Sequence, residues 1–334
     1  MQKQVMSGLR FRNPDASPVF KKDWRLWVPI WWRMARAGPG ETAPSLPLRH
    51  VLPETEAVRL FAKLQGTDTL TWLGHSSFLI RLEGKVVLTD PYLTRYASPI
   101  AGVGPRRYAG PGISIERLPP IDLVVISHNH YDHLDLRTLE RLPRRNRISI
   151  VVPLGVGDRL RGLGFREVHE IAWGQATEVD ALEVRAVPAI HFSGRGLFDR
   201  NKTLWAGFIV ASSNTKVYFA GDTAYHPFVF KRLREELGPV DVALVPIGAY
   251  EPRNLMGDVH ANPEEAVAIG HDVGARTLVA MHWGTVRMTT EPPFEPPLRF
   301  RAAGKAAGYA DHALWVMRIG ETRPVSPWGK CSRG

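Results

Sequence analysis

The sequence predicts an α/β fold in which two β-sheets form a sandwich covered by helices on both outer faces. Short apolar runs of strand length follow one another from residue 69 onward. Helix signals fall between and after these runs, and two of them open with a proline in the first turn. The chain has 334 residues, of which 44% are hydrophobic and 23% are charged, so it is large enough to bury such a core.

Each predicted element corresponds to one run. Glu83-Gly84 is expected to turn the second strand into the third. The stretch Ser98–Pro120, rich in Gly and Pro, is expected to be a long surface loop of a kind that often has a function. The predicted strands are Thr69–Leu73, Ser77–Leu82, Val86–Thr89, Ile121–Ser127, Ile148–Val152, Val184–Val187, Leu204–Ala211, Val217–Ala220, Val242–Ile247 and Leu278–His282. The predicted helices are Leu136–Leu142, Pro227–Leu237 and Pro263–Asp272.

The beginning of the chain differs in charge from the rest. Residues 1–50 carry nine Lys or Arg against three Asp or Glu, which is +6 of the total +10, and they hold four of the ten tryptophans. Basic charge interleaved with Trp suits an anionic membrane surface. The same pattern also fits an arm that packs on the protein's own surface, and both interpretations stay open. We therefore predict an arm and linker at 1–60, a folded body at 61–325 and a tail at 326–334.

Two exclusions narrow the class of protein. No run reaches the ~20 apolar residues of a membrane-spanning helix, and the start lacks the features of a signal peptide. The expectation is a cytoplasmic protein, peripheral at the inner face of the membrane if the arm binds lipid. Cys331 is the single cysteine, which excludes an internal disulfide and a cysteine-based metal site. Any metal must then be held by histidine and carboxylate.

A cluster of such groups follows the predicted strand Ile121–Ser127, in the sequence HNHYDH. His128 and His130 are two residues apart, so in extended backbone they point the same way. Asp132 and His133 follow where the chain turns. Burying so many polar groups without a cation is costly, and imidazole with carboxylate suits zinc. The cluster therefore predicts a site for two metal ions.

Three further groups stand at predicted strand ends: His191, Asp222 and His282. A carboxylate such as Asp222 can bridge two cations ~3.5–4 Å apart. We expect His128, His130, His191 and Asp222 to hold one ion. Asp132, His133, His282 and the shared Asp222 are expected to hold the other. Two Zn²⁺ are predicted, with Fe or Mn as alternatives.

With these motifs in view, the sequence resembles the metallo-β-lactamase superfamily, and within it the N-acylphosphatidylethanolamine-hydrolysing phospholipase D branch. Residues 14–60 depart from the family pattern. The resemblance implies an αββα four-layer β-sandwich, two zinc ions and cleavage of a phosphodiester in a membrane phospholipid. It rests on RFRNP from Arg10, TWLGHSS from Thr71, LTDPYL from Leu88, LPPIDLVVISHNHYDHLD from Leu118, NKTLWAGF from Asn201, FAGDT from Phe219, PIGAYEPR from Pro246, NPEEAV from Asn262 and HWGT from His282.

Other candidate residues depend mainly on this resemblance. His260, in GDVHANPEE, is similar to a family histidine near the substrate, where it would donate a proton or a hydrogen bond to phosphate; otherwise it caps a helix. Asp132 would also orient a hydroxide held between the two metals as it attacks phosphorus. His75 is expected beneath the metals or in the core. Tyr250 and Arg253 are expected to contact substrate or to pack on the surface.

The leading hypothesis is therefore a metal-dependent phospholipase D-type hydrolase. A lactonase or sugar-phosphate hydrolase with the same metal cage is the alternative, because such a cage also attacks other esters. Nucleic-acid binding is disfavoured, since residues 51–334 carry only +4 of the net charge. A homodimer is compatible with the sequence but not indicated by it.

Overall fold

The computed structural model describes residues 10–14, 44–100, 102–196 and 198–325. Fourteen strands in this part of the chain form two sheets of seven. The strands are β1 Thr69–Gly74, β2 Ser77–Leu82, β3 Lys85–Thr89, β4 Leu123–Val125, β5 Ser149–Pro153, β6 Glu167–Ile171, β7 Ala176–Val179, β8 Leu182–Val187, β9 Gly207–Ala211, β10 Lys216–Phe219, β11 Val242–Pro246, β12 Thr277–Met281, β13 Leu314–Trp315 and β14 Thr322–Pro324.

The helices lie between and after the strands. Short 3₁₀ turns occur at Ile115–Arg117, Arg145–Arg147, Gly157–Arg159 and Asp311–Ala313. The α-helices are α1 Glu54–Lys63, α2 Leu136–Arg141, α3 Pro227–Leu237, α4 Arg253–Met256, α5 Pro263–Asp272 and α6 Pro296–Ala306. Helices α3 and α5 begin and end at the residues predicted from the sequence, because each opens with proline and α5 also has a complete capping box between Asn262 and Glu265.

Both sheets are mixed. The first has the order β14-β1-β2-β3-β4-β5-β6, and the second has the order β13-β12-β11-β10-β9-β8-β7. Strands β3 to β6 run parallel to one another, as do strands β10 to β13. Loops that follow the parallel strands of one sheet therefore emerge at a common edge.

Side chains alternate between the two faces of the first sheet, as the strand period of two requires. Trp72, Phe78 and Val125 face the second sheet, where they join Phe208 and Val210 in one buried cluster. The intervening residues face the other way and form a second buried cluster with Ala57 and Phe61 of α1 and Leu139 of α2; they include Leu73, Leu79, Leu88, Val124 and Ile150. On the far side, α3, α5 and α6 contribute buried residues against the second sheet. The predicted αββα sandwich is confirmed.

The structure also contains elements that the patterns did not predict: α1, α4, α6, β6, β7, β13 and β14. Some predicted strands were too long: Ile121–Ser127 at both ends, since β4 spans Leu123–Val125, and Leu204–Ala211 at its start, since β9 begins at Gly207. Strand β8 ends at Val187 and β10 at Phe219, so His191 and Asp222 lie in the loops beyond, not at the strand ends themselves. A carboxylate or imidazole in such a loop has more freedom to turn inward than one held in the ladder.

The predicted boundary at residue 60 falls inside α1, which packs against the first sheet through Ala57 and Phe61. The basic, Trp-rich part of the predicted arm, residues 15–43, lies outside the described residues, as does the predicted tail at 326–334. Among the residues that are described, none of the helices combines the length and apolar character needed to cross a membrane.

Candidate metal centre

The predicted metal ligands meet at one edge of the sandwich. Loops after β4, β10 and β12 bring His128–His133, Asp222 and His282 there, and the β1–β2 turn adds His75. Gly221 allows the loop before Asp222 to approach, since its φ is +60° and an added Cβ would lie 2.6 Å from the Ser127 Cβ. Ligands from both sheets are therefore brought together.

The first group of donors consists of His128, His130 and His191, whose donor atoms lie within 4.8 Å of one another. His128 Nε2 is 2.8 Å from His130 Nδ1. His191 Nε2 is 3.4 Å from the same Nδ1. Three ring nitrogens therefore converge on one point, as they would around a single cation.

The second group consists of Asp132, His133 and His282. Asp132 Oδ2 is 3.3 Å from His133 Nε2 and 3.6 Å from His282 Nε2. His75 donates from Nε2 to the same Oδ2 at 2.9 Å. His75 therefore contacts an acidic side chain of this group, and it also belongs to the set of groups close enough to share one ion.

Asp222 lies between the two groups. Its Oδ2 is 3.1 Å from His133 Nε2 and 3.2 Å from His282 Nε2. The same oxygen is 3.8 Å from His191 Nε2 and 4.0 Å from His128 Nε2. This carboxylate is therefore within reach of both groups of donors and could be shared by two cations.

The unsatisfied atoms at this edge fit such cations. His133 Nε2, both ring nitrogens of His282, His260 Nδ1 and Asp222 Oδ1 are buried without a hydrogen-bond partner. Leaving a buried polar group unpaired costs about 1–3 kcal/mol, so native interiors avoid it. Lone pairs aimed at two common points are what two divalent cations would satisfy.

The protonation pattern is consistent with this interpretation. Burial, reinforced by neighbouring imidazoles, lowers the pKa of His130 to about 3. Burial likewise lowers the pKa of His191 to about 4, although Asp222 opposes the shift. Both rings are therefore neutral ligands at neutral pH. Although burial opposes their ionisation too, the pKa of Asp132 and that of Asp222 are held well below the usual range by His133. Without metal, the positive charge beside these carboxylates is carried by His133 and His282, because, although burial opposes the shift, the carboxylates raise the pKa of both imidazoles. Bound cations would replace those protons.

Asp90 is a functional residue that the sequence analysis missed. His133 donates from Nδ1 to Asp90 Oδ2 at 2.6 Å, which leaves Nε2 facing the site. Ser127 donates its backbone N–H to Asp90 Oδ1 at 2.6 Å. A carboxylate that orients a ligand histidine in this way is a common feature of metal sites. Its position directly after strand β3, like the other acidic residues after strands, was the available signal.

Arg195 is a second missed residue, and it braces the loop that carries four ligands. Its Nη1 donates to the carbonyls of Asn129 and Leu134 at 2.8 and 2.7 Å. Its guanidinium also stacks 3.7 Å over the Tyr131 ring, and the Tyr131 hydroxyl donates to the Arg195 carbonyl at 3.0 Å. Tyr131 is thus held by packing, and the loop from residue 192 onward fixes the shape of the ligand turn.

His260 joins the site from the second sheet's side. Its Nδ1 lies 4.0 Å from Asp222 Oδ2, and its ring is 5.0 Å from the ring of His191. Arg253 holds the backbone here: Nη1 donates to the His260 carbonyl at 2.9 Å, and Nη2 donates to both carboxylate oxygens of Glu265 at 2.8 Å. The guanidinium of Arg253 therefore holds the backbone of His260 in place.

Tyr250 is not brought into the cluster. Its ring is fully buried, and its hydroxyl donates to Glu295 Oε1 at 3.2 Å. Neither Tyr250 nor Arg253 lines the cavity at the site. This cavity of about 240 Å³ is lined by four of the candidate ligands: His130, Asp132, Asp222 and His282. Its apolar lining includes Phe192, Met256 and Met288.

The fold and the two groups of donors together define a metal-dependent hydrolase. The description "Beta-lactamase superfamily domain" matches residues 85–283, and the chain belongs to this family. A solved structure of a metallo hydrolase from the archaeon Ignicoccus hospitalis superposes with a TM-score of 0.56 at 25% identity. That superposition covers 77% of this chain and 97% of the archaeal one.

Two sequence relatives each match two thirds or more of this chain, and the name of the second specifies the branch. An uncharacterized protein of Mycobacterium tuberculosis is 40% identical over 302 residues, which are 88% of this chain and 78% of the relative. The N-acyl-phosphatidylethanolamine-hydrolyzing phospholipase D 1 of Caenorhabditis elegans is 42% identical over 237 residues, covering 68% of this chain and 67% of the worm protein. The superfamily and the branch indicated by the motifs are confirmed.

Proposed function

We propose that this chain is a dinuclear zinc phosphodiesterase of the phospholipase D type, acting on N-acylphosphatidylethanolamine or a related phospholipid. The observation that carries the proposal is the position of Asp222 Oδ2, within 4.0 Å of histidine nitrogens from both groups of donors. The similarity to the worm enzyme supports the substrate class. The mainly apolar cavity supports a substrate with long hydrocarbon chains.

The residues that would hold the metals are those of the two donor groups with Asp222 between them. Zinc bound there would lower the pKa of water towards neutrality and offset negative charge on the phosphate. The same nitrogen and oxygen donors accept iron or manganese. Metal analysis of the purified protein distinguishes these ions.

The chain's own residues then orient the reaction. In hydrolysis, a water oxygen bonds to phosphorus while the bond from phosphorus to the ethanolamine oxygen breaks, and the leaving oxygen gains a proton. Asp132, fixed by His75, orients the attacking water. His260 lines the cavity and donates a hydrogen bond to the phosphate. Because burial lowers the pKa of His260 well below its usual value, it acts as a neutral donor.

We propose an anionic membrane as a binding partner on the basis of the sequence alone. An anionic membrane would attract the N-terminal arm, whose charge and tryptophans suit lipid headgroups. Such a protein would be peripheral at the inner face of the membrane. Binding of the full chain to anionic and neutral vesicles, compared in sedimentation, tests this arm. A homodimer stays a prediction that the mass in solution would decide.

The function is tested with zinc-loaded full chain and vesicles that contain N-acylphosphatidylethanolamine. We expect phosphatidic acid and N-acylethanolamine as products, identified by mass spectrometry. Asp222→Ala should abolish the activity because both donor groups lose their shared carboxylate. His260→Ala should lower kcat by about 10²–10⁴-fold while metal content is unchanged.

His312→Ala is the matched control for His260→Ala, since His312 is an exposed histidine in the 3₁₀ turn Asp311–Ala313 and does not belong to the metal centre. It should behave like the unchanged protein. A lactone or sugar-phosphate panel is assayed in parallel. Turnover of those compounds with intact lipid would replace the phospholipase hypothesis by the alternative, and retained activity in Asp222→Ala would overturn the dinuclear site.

A further inference from the structure

A short N-terminal segment, residues 10–14, packs against the loop that carries the ligand His191. Phe11 donates its backbone N–H to the Asn201 carbonyl at 2.8 Å. The Phe11 side chain is buried in a cluster with Ala189, Leu204 and Trp205. The segment therefore contacts this loop both before His191, at Ala189, and after it, at Asn201–Trp205, although the segment and the loop are far apart in sequence.

Asn13 makes the contact closest to the metal centre. Its Oδ1 accepts a hydrogen bond from the His191 backbone N–H at 3.0 Å and another from Trp205 Nε1 at 3.1 Å. The Trp205 indole N–H is shared with the Ala189 carbonyl at 3.0 Å. A single amide oxygen therefore joins the backbone of His191 to the far side of its loop.

This contact matters because His191 has left the sheet. Strand β8 ends at Val187, so the backbone of His191 has no strand neighbour to accept its N–H. Its ring is held separately, through Nδ1 to the Val259 carbonyl at 2.8 Å. That hydrogen bond fixes the orientation of the imidazole ring. The Asn13 contact fixes the main chain from which the ring extends.

We propose that Asn13 is a positioning residue for His191, and that residues 10–14 are thereby part of the metal centre. The proposal rests on the proposed metal site, not on the identity of the lipid. Asn13 does not face the cavity, and its effect passes through the placement of His191 Nε2. Loss of the acceptor leaves a buried N–H unpaired and lets the ligand shift.

The test compares three variants of the full chain. Asn13→Leu keeps the approximate size and removes the acceptor. Asn13→Asp keeps an oxygen that can accept both hydrogen bonds. Arg12→Ala, in the same segment and exposed, is the matched control. Metal-free protein is titrated with Co²⁺ against a chelator, and the visible absorption of bound Co²⁺ reports the geometry of each site.

We expect Asn13→Leu to weaken one of the two Co²⁺ binding steps by about 10–100-fold and to change its absorption spectrum. Asn13→Asp should restore both, and Arg12→Ala should match the unchanged protein. His191→Ala identifies which step belongs to this ligand. If Asn13→Leu does not fold by near-ultraviolet circular dichroism, Asn13→Ser replaces it, because serine is too short to reach both donors.

Equal Co²⁺ affinities and spectra for Arg12→Ala and Asn13→Leu would overturn the proposal. So would weakening of the step that His191→Ala leaves intact. Failure of the proposed function gives a different result: the unchanged protein would bind no Co²⁺, or would bind two ions and leave the lipid uncleaved. The two outcomes are therefore separable.

Discussion

The carboxylate of Asp90 illustrates how much of the site depends on residues outside the two groups of donors. It accepts from His133 Nδ1 at 2.6 Å and is itself held by Ser127. Asp90 also has a backbone φ of +33°, as His75 and His282 have φ values of +56° and +61°. Non-glycine residues seldom adopt such values, and their presence here is typical of a functional site.

Asp90→Ala is expected to weaken metal binding by about 10–100-fold, because His133 loses the partner that keeps Nε2 aimed at the site. Isothermal titration of metal-free protein with Zn²⁺ measures the change. Asp311→Ala, with a largely exposed carboxylate, is the control and should bind as the unchanged protein does. Equal affinities for the two variants would mean that Asp90 is not needed to orient His133.

At the scale of elements, the loops matter more than the strands. The site depends on the close approach of the loops after β4 and β10, which Gly221 permits. Gly308 offers a comparison, since it also has a positive φ, +86°, but an added Cβ would meet nothing within 4 Å. The two glycines therefore separate the cost of a steric clash from the cost of the backbone conformation.

Gly221→Ala is expected to lower the free energy of unfolding by about 1–3 kcal/mol more than Gly308→Ala, because only the former forces a methyl group into Ser127. Denaturant unfolding of both metal-free variants measures this difference. Metal content of Gly221→Ala should also fall, since Asp222 would move with its loop. A similar loss of stability in both variants would indicate that conformation, not contact, requires glycine at 221.

Much of this architecture could be predicted from local pattern. Helices α3 and α5 have clear start signals, and the ligands in HNHYDH stand together in the chain. Strand β6 was missed because it is mostly exposed and polar. Helix α6 was missed because its first turn contains two prolines after another proline-rich stretch.

The supporting residues could not be predicted for a different reason. Asn13 acts on His191 across 178 residues, and Asp90 acts on His133 across 43. Neither pair has a local signature, because the contact exists only after the sheets have packed. Tyr250 shows the converse: its motif suggested contact with substrate, but packing buries the side chain away from the cavity.

For the molecule as a whole, the metal centre should be a major source of stability. An ion at a free concentration of 100 times its Kd stabilises the folded state by about 2.7 kcal/mol, provided that the unfolded chain does not bind it. Two such ions would add about twice that amount. Chelation should therefore lower the melting temperature substantially, as differential scanning calorimetry would measure.

Asp222→Ala is the control for this experiment, because it lacks the shared ligand. Its melting temperature should change little when chelator or zinc is added. If chelator did not change the melting temperature of the unchanged protein, bound metal would not contribute to the stability of the folded state.

The ligands come from loops of both sheets, with HNHYDH on one side and Asp222 and His282 on the other. Bound cations would therefore link the two sheets at one edge of the sandwich, whereas at the opposite edge the sheets are joined by hydrogen bonds such as those from Ser213 to Glu83 and from Thr215 to Asp68. Loss of metal should therefore cause local unfolding first at the edge that carries the ligands. Amide hydrogens around residues 128–134 and 282–285 would then exchange with solvent well before those of the central strands.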